Sequence, residues 1–176
     1  MSGKRKELEQ NKQEESMTLL GRSLLTGFIG GLFWSSLGVF LHLFNFTEIS
    51  PSSFVLRSWV RAGWTDGWLG DVVSILIIGG LSVLVALIYY ALLKKNRSIL
   101  VGLLYGLVLW AIVYYVFQPM FPNIPNVTEL DRNTIVTTIC LFILYGIFIG
   151  YSISYDYHDT VIKENKAKQE EEEEAK

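Results

Sequence analysis

The chain reads as four long apolar runs separated by short polar links, at positions 23–44, 72–93, 99–117 and 133–155. Each run is close to the roughly 20 residues that a helix needs to cross a hydrocarbon core of about 30 Å at about 1.5 Å per residue. Within the runs the apolar positions are continuous and do not alternate, which excludes the short two-residue periodicity of a membrane barrel. A helix also satisfies its own backbone polar groups, as hydrocarbon demands. The predicted fold class is therefore all-α: a polytopic membrane protein built as a four-transmembrane-helix bundle. The membrane domain covers 19–157, with charged tails at 1–18 and 158–176.

The links have distinct characters. Residues 94–98 form a link so short that the second and third spans are expected to make an antiparallel hairpin. In the loop after the first span, Ser50-Pro51 has the form of a helix N-cap followed by proline at the first helical position. The spacing predicts a short amphipathic helix over 51–62. Phe54, Val55, Trp59 and Val60 fall on one side of it and Arg57 and Arg61 on another, a pattern suited to the outer interface. Trp59, Trp64 and Trp68 fit an aromatic belt there, and Asp66-Gly67 marks a turn before the second span. The loop after the third span holds three of the four prolines, which stop that helix and keep the loop extended. Thr128 or Asp131 is placed to cap the fourth span. Asn45-Phe-Thr47 and Asn126-Val-Thr128 match the glycosylation acceptor pattern, which also arises often by chance.

Composition sharpens the class. Hydrophobic residues make up 51% of the chain, aromatics 14% and charged residues 18%, with a mean hydropathy of +0.34. A soluble domain carries about a quarter charged residues, and here the charges crowd into tails and links. These features exclude an ordinary cytosolic enzyme, a nucleic-acid binder and a disulfide-stapled secreted module. The net charge of −2 hides a lopsided layout. Of the 15 Lys and Arg, the N-terminal tail, the 94–98 link and the C-terminal tail hold twelve, and the two opposite loops hold only Arg57, Arg61 and Arg132. The positive-inside rule then places both termini in the cytoplasm, as an even number of spans requires. The first tail is polar, by composition a mobile or loosely helical segment. It is too long and charged for a signal peptide and lacks a small-x-small exit site. The last tail ends in Glu170 to Glu174, expected to be solvated and disordered, the alternative being a docking site for a basic partner.

Candidate chemistry is sparse. Small residues recur at fourfold spacing: Gly27, Gly31 and Ser35; Gly102 and Gly106; Gly146, Gly150 and Ser154; and, more loosely, Gly79, Ser82 and Ala86. Such faces let helices approach closely where lipid gives no hydrophobic drive for association. They serve either the packing of the bundle itself or the docking of a partner on a face left outside it. Gly27-Phe-Ile-Gly-Gly-Leu and Gly102-Leu-Leu-Tyr-Gly-Leu also echo each other, as a two-plus-two repeat would. Trp34 and Trp110, in mid-span, are expected to fill space against these faces, and Cys140, the sole cysteine, reads as a small core residue.

No Asp, Glu, Lys or Arg lies deep in a span, which weakens a proton-coupled transporter or pump. No span carries the mid-helix proline of a broken transporter helix. His42 and His158 fall at opposite membrane faces and cannot share a metal. No hydrolase, metalloprotease or nucleotide-binding motif is present, so neither cofactor nor metal is expected. What remains is an outer polar set from which His42, Arg57, Arg61, Asp71, Asp131 and Arg132 are the candidate binding residues. Asp71 and Asp131 stand where a carboxylate also favours a helix N-terminus. The alternatives are rim pairing and capping, or convergence into an outer pocket for a headgroup or peptide.

Gly30-Gly-Leu-Phe-Trp-Ser, Phe44-Asn-Phe-Thr-Glu-Ile, Phe121-Pro, Glu129-Leu-Asp, Asn133-Thr-Ile with Thr137-Thr138, Tyr145-Gly and Gly150-Tyr-Ser-Ile-Ser-Tyr resemble the YqhR family of small bacterial membrane proteins. The resemblance covers roughly residues 17–158. It implies four spans in the cytoplasmic membrane of a Bacillus-type cell and carries over no catalytic residue. The functional expectation is a non-enzymatic accessory or interaction subunit, in contact with the lipid bilayer and with a second copy or a membrane protein partner, and with no nucleic acid. The alternative is a small facilitator or lipid-handling protein. A polar cavity reaching mid-membrane would favour the alternative, and a closed bundle with an exposed glycine face the leading reading.

Overall fold

The computed structural model describes residues 18–60, 63–65, 67–96, 98–121 and 124–174. Every regular element among them is helical: α1 (Leu19–Leu43), α2 (Pro51–Val55), α3 (Trp68–Leu93), α4 (Ile99–Ala111) and α5 (Arg132–Glu174). α4 runs on through a π-helical stretch, Ile112–Phe117, and a 3₁₀ turn, Gln118–Met120. Four of these stretches are long and apolar enough to cross a membrane.

The helix ends follow local chemistry. α1 begins four residues before the expected start because the Thr18 hydroxyl accepts from Gly21 N–H at 3.2 Å and caps it. Two residues past its end stands Asn45, whose φ of 59° is left-handed. Phe46 N–H bonds Leu41 O at 2.9 Å and Asn45 N–H bonds His42 O at 3.0 Å, the paired bonds that close a helix through a left-handed residue. α4 widens before Pro119, whose ring would strike the Tyr115 carbonyl in regular α-geometry. α5 is capped by Asp131, whose carboxylate accepts from Asn133 N–H at 3.2 Å.

Two expectations are corrected here. The outer helix is one turn, Pro51–Val55, and does not extend to residue 62. Ser50 caps it and Pro51 opens it as expected. Beyond it, Val60 N–H turns back to Leu56 O and the Ser58 hydroxyl bonds Ser53 O at 2.8 Å, drawing the chain into turns. The acidic tail also differs: α5 is continuous for 43 residues to Glu174. No glycine or proline follows Gly150, and the Lys, Glu, Gln and Ala of this segment are strong helix formers. The tail at 1–17 lies outside the described residues, as do Arg61, Asp66 and Arg97.

The bundle buries small side chains and presents large ones outward. On α1, Ser23, Gly27, Gly30, Gly31, Ser35 and Gly38 are buried, and on α3, Gly70, Ser74, Gly79, Ser82, Ala86 and Tyr89. Phe33, Phe40, Leu76, Leu84, Ile88, Leu100 and Leu104 are exposed. Water would not tolerate that arrangement and hydrocarbon favours it. α1 packs chiefly on α3 and α4 on α5, while α5 also contacts α1 and α3. The expected hairpin of α3 and α4 is splayed: the helices meet through side chains, with Tyr105 Oη donating to Val85 O at 2.6 Å and its ring set edge-on to Tyr89 at 5.0 Å. At the outer end both long loops fold onto the bundle, bringing Ile49, Ile124 and Leu130 against Trp110 and Tyr114.

Candidate functional site

The small-residue faces are used up inside the bundle. A Cβ built on Gly146 would meet Gly106 Cα and N at 2.5 Å, and one on Gly102 would meet Gly146 O at 2.9 Å. Gly150 faces Tyr89 Oη and Gly102 Cα. Across the other seam Gly31 lies on Ser82 and Gly79, and Gly27 on Ala86. Ser35 is buried and returns its hydroxyl to Gly31 O at 2.6 Å. Ser154 is buried too and bridges Asn96 O at 2.8 Å to Tyr89 Oη at 3.5 Å. Gly106 faces the Phe142 carbonyl. Every residue of the three stripes therefore serves intramolecular packing.

Among the described residues, the outer polar side chains do not form one pocket. His42 Nδ1 lies 2.9 Å from Thr47 O, beside its own helix end. Asp71 accepts from the Ser50 hydroxyl at 3.3 Å, tying α3 to the outer turn. Arg57 donates through Nε to Thr65 O at 3.5 Å. Asp131 caps α5, and Arg132 is exposed beside it. These are capping and loop-tying roles at separate helix ends. Arg61 lies outside the described residues. A shallow depression on the second outer loop is lined by Gln118, Phe121, Ile124, Asn126 and Glu129. Its polar groups already bond one another or the loop backbone: Gln118 to Ile124 O at 2.8 Å, and Asn126 to Glu129 at 3.4 Å. No cluster of three or more His, Cys, Asp or Glu able to hold a metal occurs among the described residues.

Two polar features escaped the sequence reading. One is an outer relay: Trp110 Nε1 donates to Thr138 Oγ1 at 3.1 Å, Thr138 bonds Thr134 O at 2.8 Å, and Thr134 Oγ1 accepts from Glu48 N–H at 3.0 Å. This relay pins the first outer loop to α5. Trp110 also stacks on Tyr114, with ring centroids 5.1 Å apart. The other is a hydroxyl cluster on the inner faces of α3, α4 and α5. Ser82 Oγ donates to Gly27 O at 2.6 Å and shares a hydrogen bond with Tyr145 Oη, near Tyr105 and Tyr89. The available signal was tyrosine, serine and threonine inside apolar runs. Trp34 sets its ring edge-on to Phe33 at 5.3 Å, with Nε1 buried and unpartnered. Cys140 is exposed on the surface of α5, correcting its expected place in the core.

The opposite, basic end of the bundle is also ordered. Lys94 Nζ lies 4.1 Å from the Tyr90 ring centroid and 5.3 Å from that of Tyr157. Just past the fourth apolar run, burial pushes the Asp156 carboxyl up, Arg22 opposes that rise and Asp159 adds to it.

The model of a conserved membrane protein family, YqhR, matches residues 3–170, reaching into both charged tails. A Bacillus subtilis (strain 168) protein described as uncharacterized protein YqhR is 45% identical over 159 residues, covering 88% of this chain and 89% of its own length. No solved structure matches.

Proposed function

Since the chain belongs to the YqhR family of conserved membrane proteins, we propose that it is a non-enzymatic accessory subunit of the bacterial cytoplasmic membrane, with both termini in the cytoplasm. The observation that carries this reading is α5. It is one uninterrupted helix of 43 residues, about 65 Å long at about 1.5 Å per residue, roughly twice the hydrocarbon thickness. The part beyond Tyr155 extends the helix by about 28 Å at the same rise. A membrane bundle fused without a hinge to a charged helical arm is suited to holding a second protein at a set position. The orientation follows from the distribution of Lys and Arg. The separate capping roles of the outer polar residues argue against an active site.

A second reading, a lipid-handling or facilitator protein, draws support from the hydroxyl cluster of Ser82, Tyr89, Tyr105 and Tyr145 on the inner faces of α3, α4 and α5. Against it stand the seams α1–α3 and α4–α5, closed by glycines at backbone contact.

One experiment separates the two. The tagged protein is purified in mild detergent, and the co-purified proteins and lipids are identified by mass. A stoichiometric protein partner, lost when Glu170 to Glu174 are changed to Gln, is the expected result. A defined lipid or solute without any protein partner would replace this reading with the second.

A further inference from the structure

The basic end of the bundle holds a cation in a prepared position. Lys94 follows the last residue of α3 and is four residues after Tyr90, so both share one helix face. Tyr157 comes from α5 and supplies the second ring. Lys94 is half-buried, and among the described residues the contacts of its ammonium are those two ring faces, with no carboxylate or carbonyl acceptor. A lysine stem is flexible, and its ordering needs such walls. Lys95 is exposed next to it. Of the two carboxylates flanking Tyr157 on α5, Asp159 pairs with Lys163 at 3.1 Å and Asp156 feels Arg22; neither is in contact with Lys94, which leaves Lys94 and Lys95 as the local excess of cations. The position, just past the apolar run 72–93 and flanked by tyrosines, is the depth of the lipid headgroups.

We propose that Lys94, held between Tyr90 and Tyr157 and assisted by Lys95, binds the phosphate of an anionic phospholipid in the leaflet at this end of the bundle. Phosphate is the abundant oxygen-rich anion at that depth, and three ammonium hydrogens without protein acceptors match it. The preference for an anionic over a zwitterionic headgroup comes from the local excess of cations. The assignment rests on membrane insertion alone and holds whichever partner the arm has.

The test uses the full chain in phosphatidylcholine nanodiscs carrying a small fraction of phosphatidylglycerol, with retained lipid counted by native mass spectrometry. The wild type is expected to retain phosphatidylglycerol preferentially. Lys94→Gln should lower that retention about fivefold, and Lys94→Arg should keep it. Tyr157→Leu preserves the charge but removes one wall, and should also lower retention, so the test survives if Lys94→Gln folds poorly. Lys163→Gln, which removes the partner of Asp159 at 3.1 Å on the arm, should change nothing. Equal retention by the wild type and by Lys94→Gln and Tyr157→Leu overturns the proposal. Displacement of the lipid by inorganic phosphate alone overturns it in favour of a free-anion site.

Discussion

Replacing Gly146 with alanine adds one methyl group where two helix backbones touch. The new Cβ would sit 2.5 Å from both Cα and N of Gly106, and would also meet the Gly102 carbonyl. Carbon atoms in contact prefer about 3.5–4.0 Å. The obstacle is backbone on a facing helix, so no rotamer change relieves it, and α4 and α5 must separate by about 1 Å at this crossing. A gap of that size forfeits about a quarter to a half of each contact's attraction, at roughly 0.1–0.2 kcal/mol per atom pair. Residual overpacking costs a further ~1–3 kcal/mol. Alanine returns at most about 1 kcal/mol through helix propensity. The expected net loss is about 2–3 kcal/mol. Gly80→Ala is the control. A Cβ there meets nothing within 4 Å, so only the propensity gain remains and stability should rise by about 0.5–1 kcal/mol. The assay is reversible unfolding in mixed micelles, followed by circular dichroism. Gly146→Ala at or above wild-type stability would refute the reasoning.

Thr138→Val removes the acceptor of Trp110 Nε1 and should cost about 1–3 kcal/mol, with a shift in tryptophan emission that reports the orphaned indole. Tyr145→Phe deletes the hydroxyl shared with Ser82 and should cost about 0.5–1.5 kcal/mol by the same unfolding assay, with the fold retained. A cysteine placed at Lys166, in a background with Cys140 replaced by serine, should be labelled by an impermeant maleimide only after the cells are opened. Labelling of intact cells would reverse the orientation.

The four spans were legible because hydrocarbon imposes length and apolarity on each helix independently of its neighbours. The same logic found the stripes Gly27–Gly31, Gly102–Gly106 and Gly146–Gly150, since fourfold spacing fixes a face. It could not say whether those faces turn inward, because packing and docking use the same pattern. The outer loops were harder. Thr134 and Thr138 read as ordinary members of an apolar run, and their role as acceptors depends on Trp110 and Glu48, which lie far away in sequence. The helix of α5 past Tyr155 is hidden by the charge of its glutamate block, which on its own favours disorder. Its continuity with a packed helix, which spares it the cost of nucleation, weighs more.

The echo between Gly27-Phe-Ile-Gly-Gly-Leu and Gly102-Leu-Leu-Tyr-Gly-Leu has a spatial counterpart. Gly27 faces Ala86 and Gly31 faces Ser82; Gly102 faces Gly146 and Gly106 faces Phe142. In each half a glycine pair four residues apart meets the next span in antiparallel register. The halves differ in what blocks the glycine. A Cβ on Gly27 would meet Ala86 Cβ at 2.5 Å, with the nearest backbone atom, Ser82 O, at 3.0 Å. A Cβ on Gly106 would meet the Phe142 carbonyl itself. The first clash is between two methyl groups and the second is against a main chain. Gly27→Ala should therefore be rescued by Ala86→Gly, which moves one methyl from α3 to α1 across a seam where Ala86 is fully buried. The coupling energy of that double-mutant cycle should be about 1–2 kcal/mol. For Gly106→Ala no trimming of Phe142 can help, because the offending atom is its carbonyl oxygen, and Phe142→Ala should only add to the loss. If Ala86→Gly fails to recover Gly27→Ala while the single variants fold, the side-chain character assigned to the α1–α3 seam is wrong.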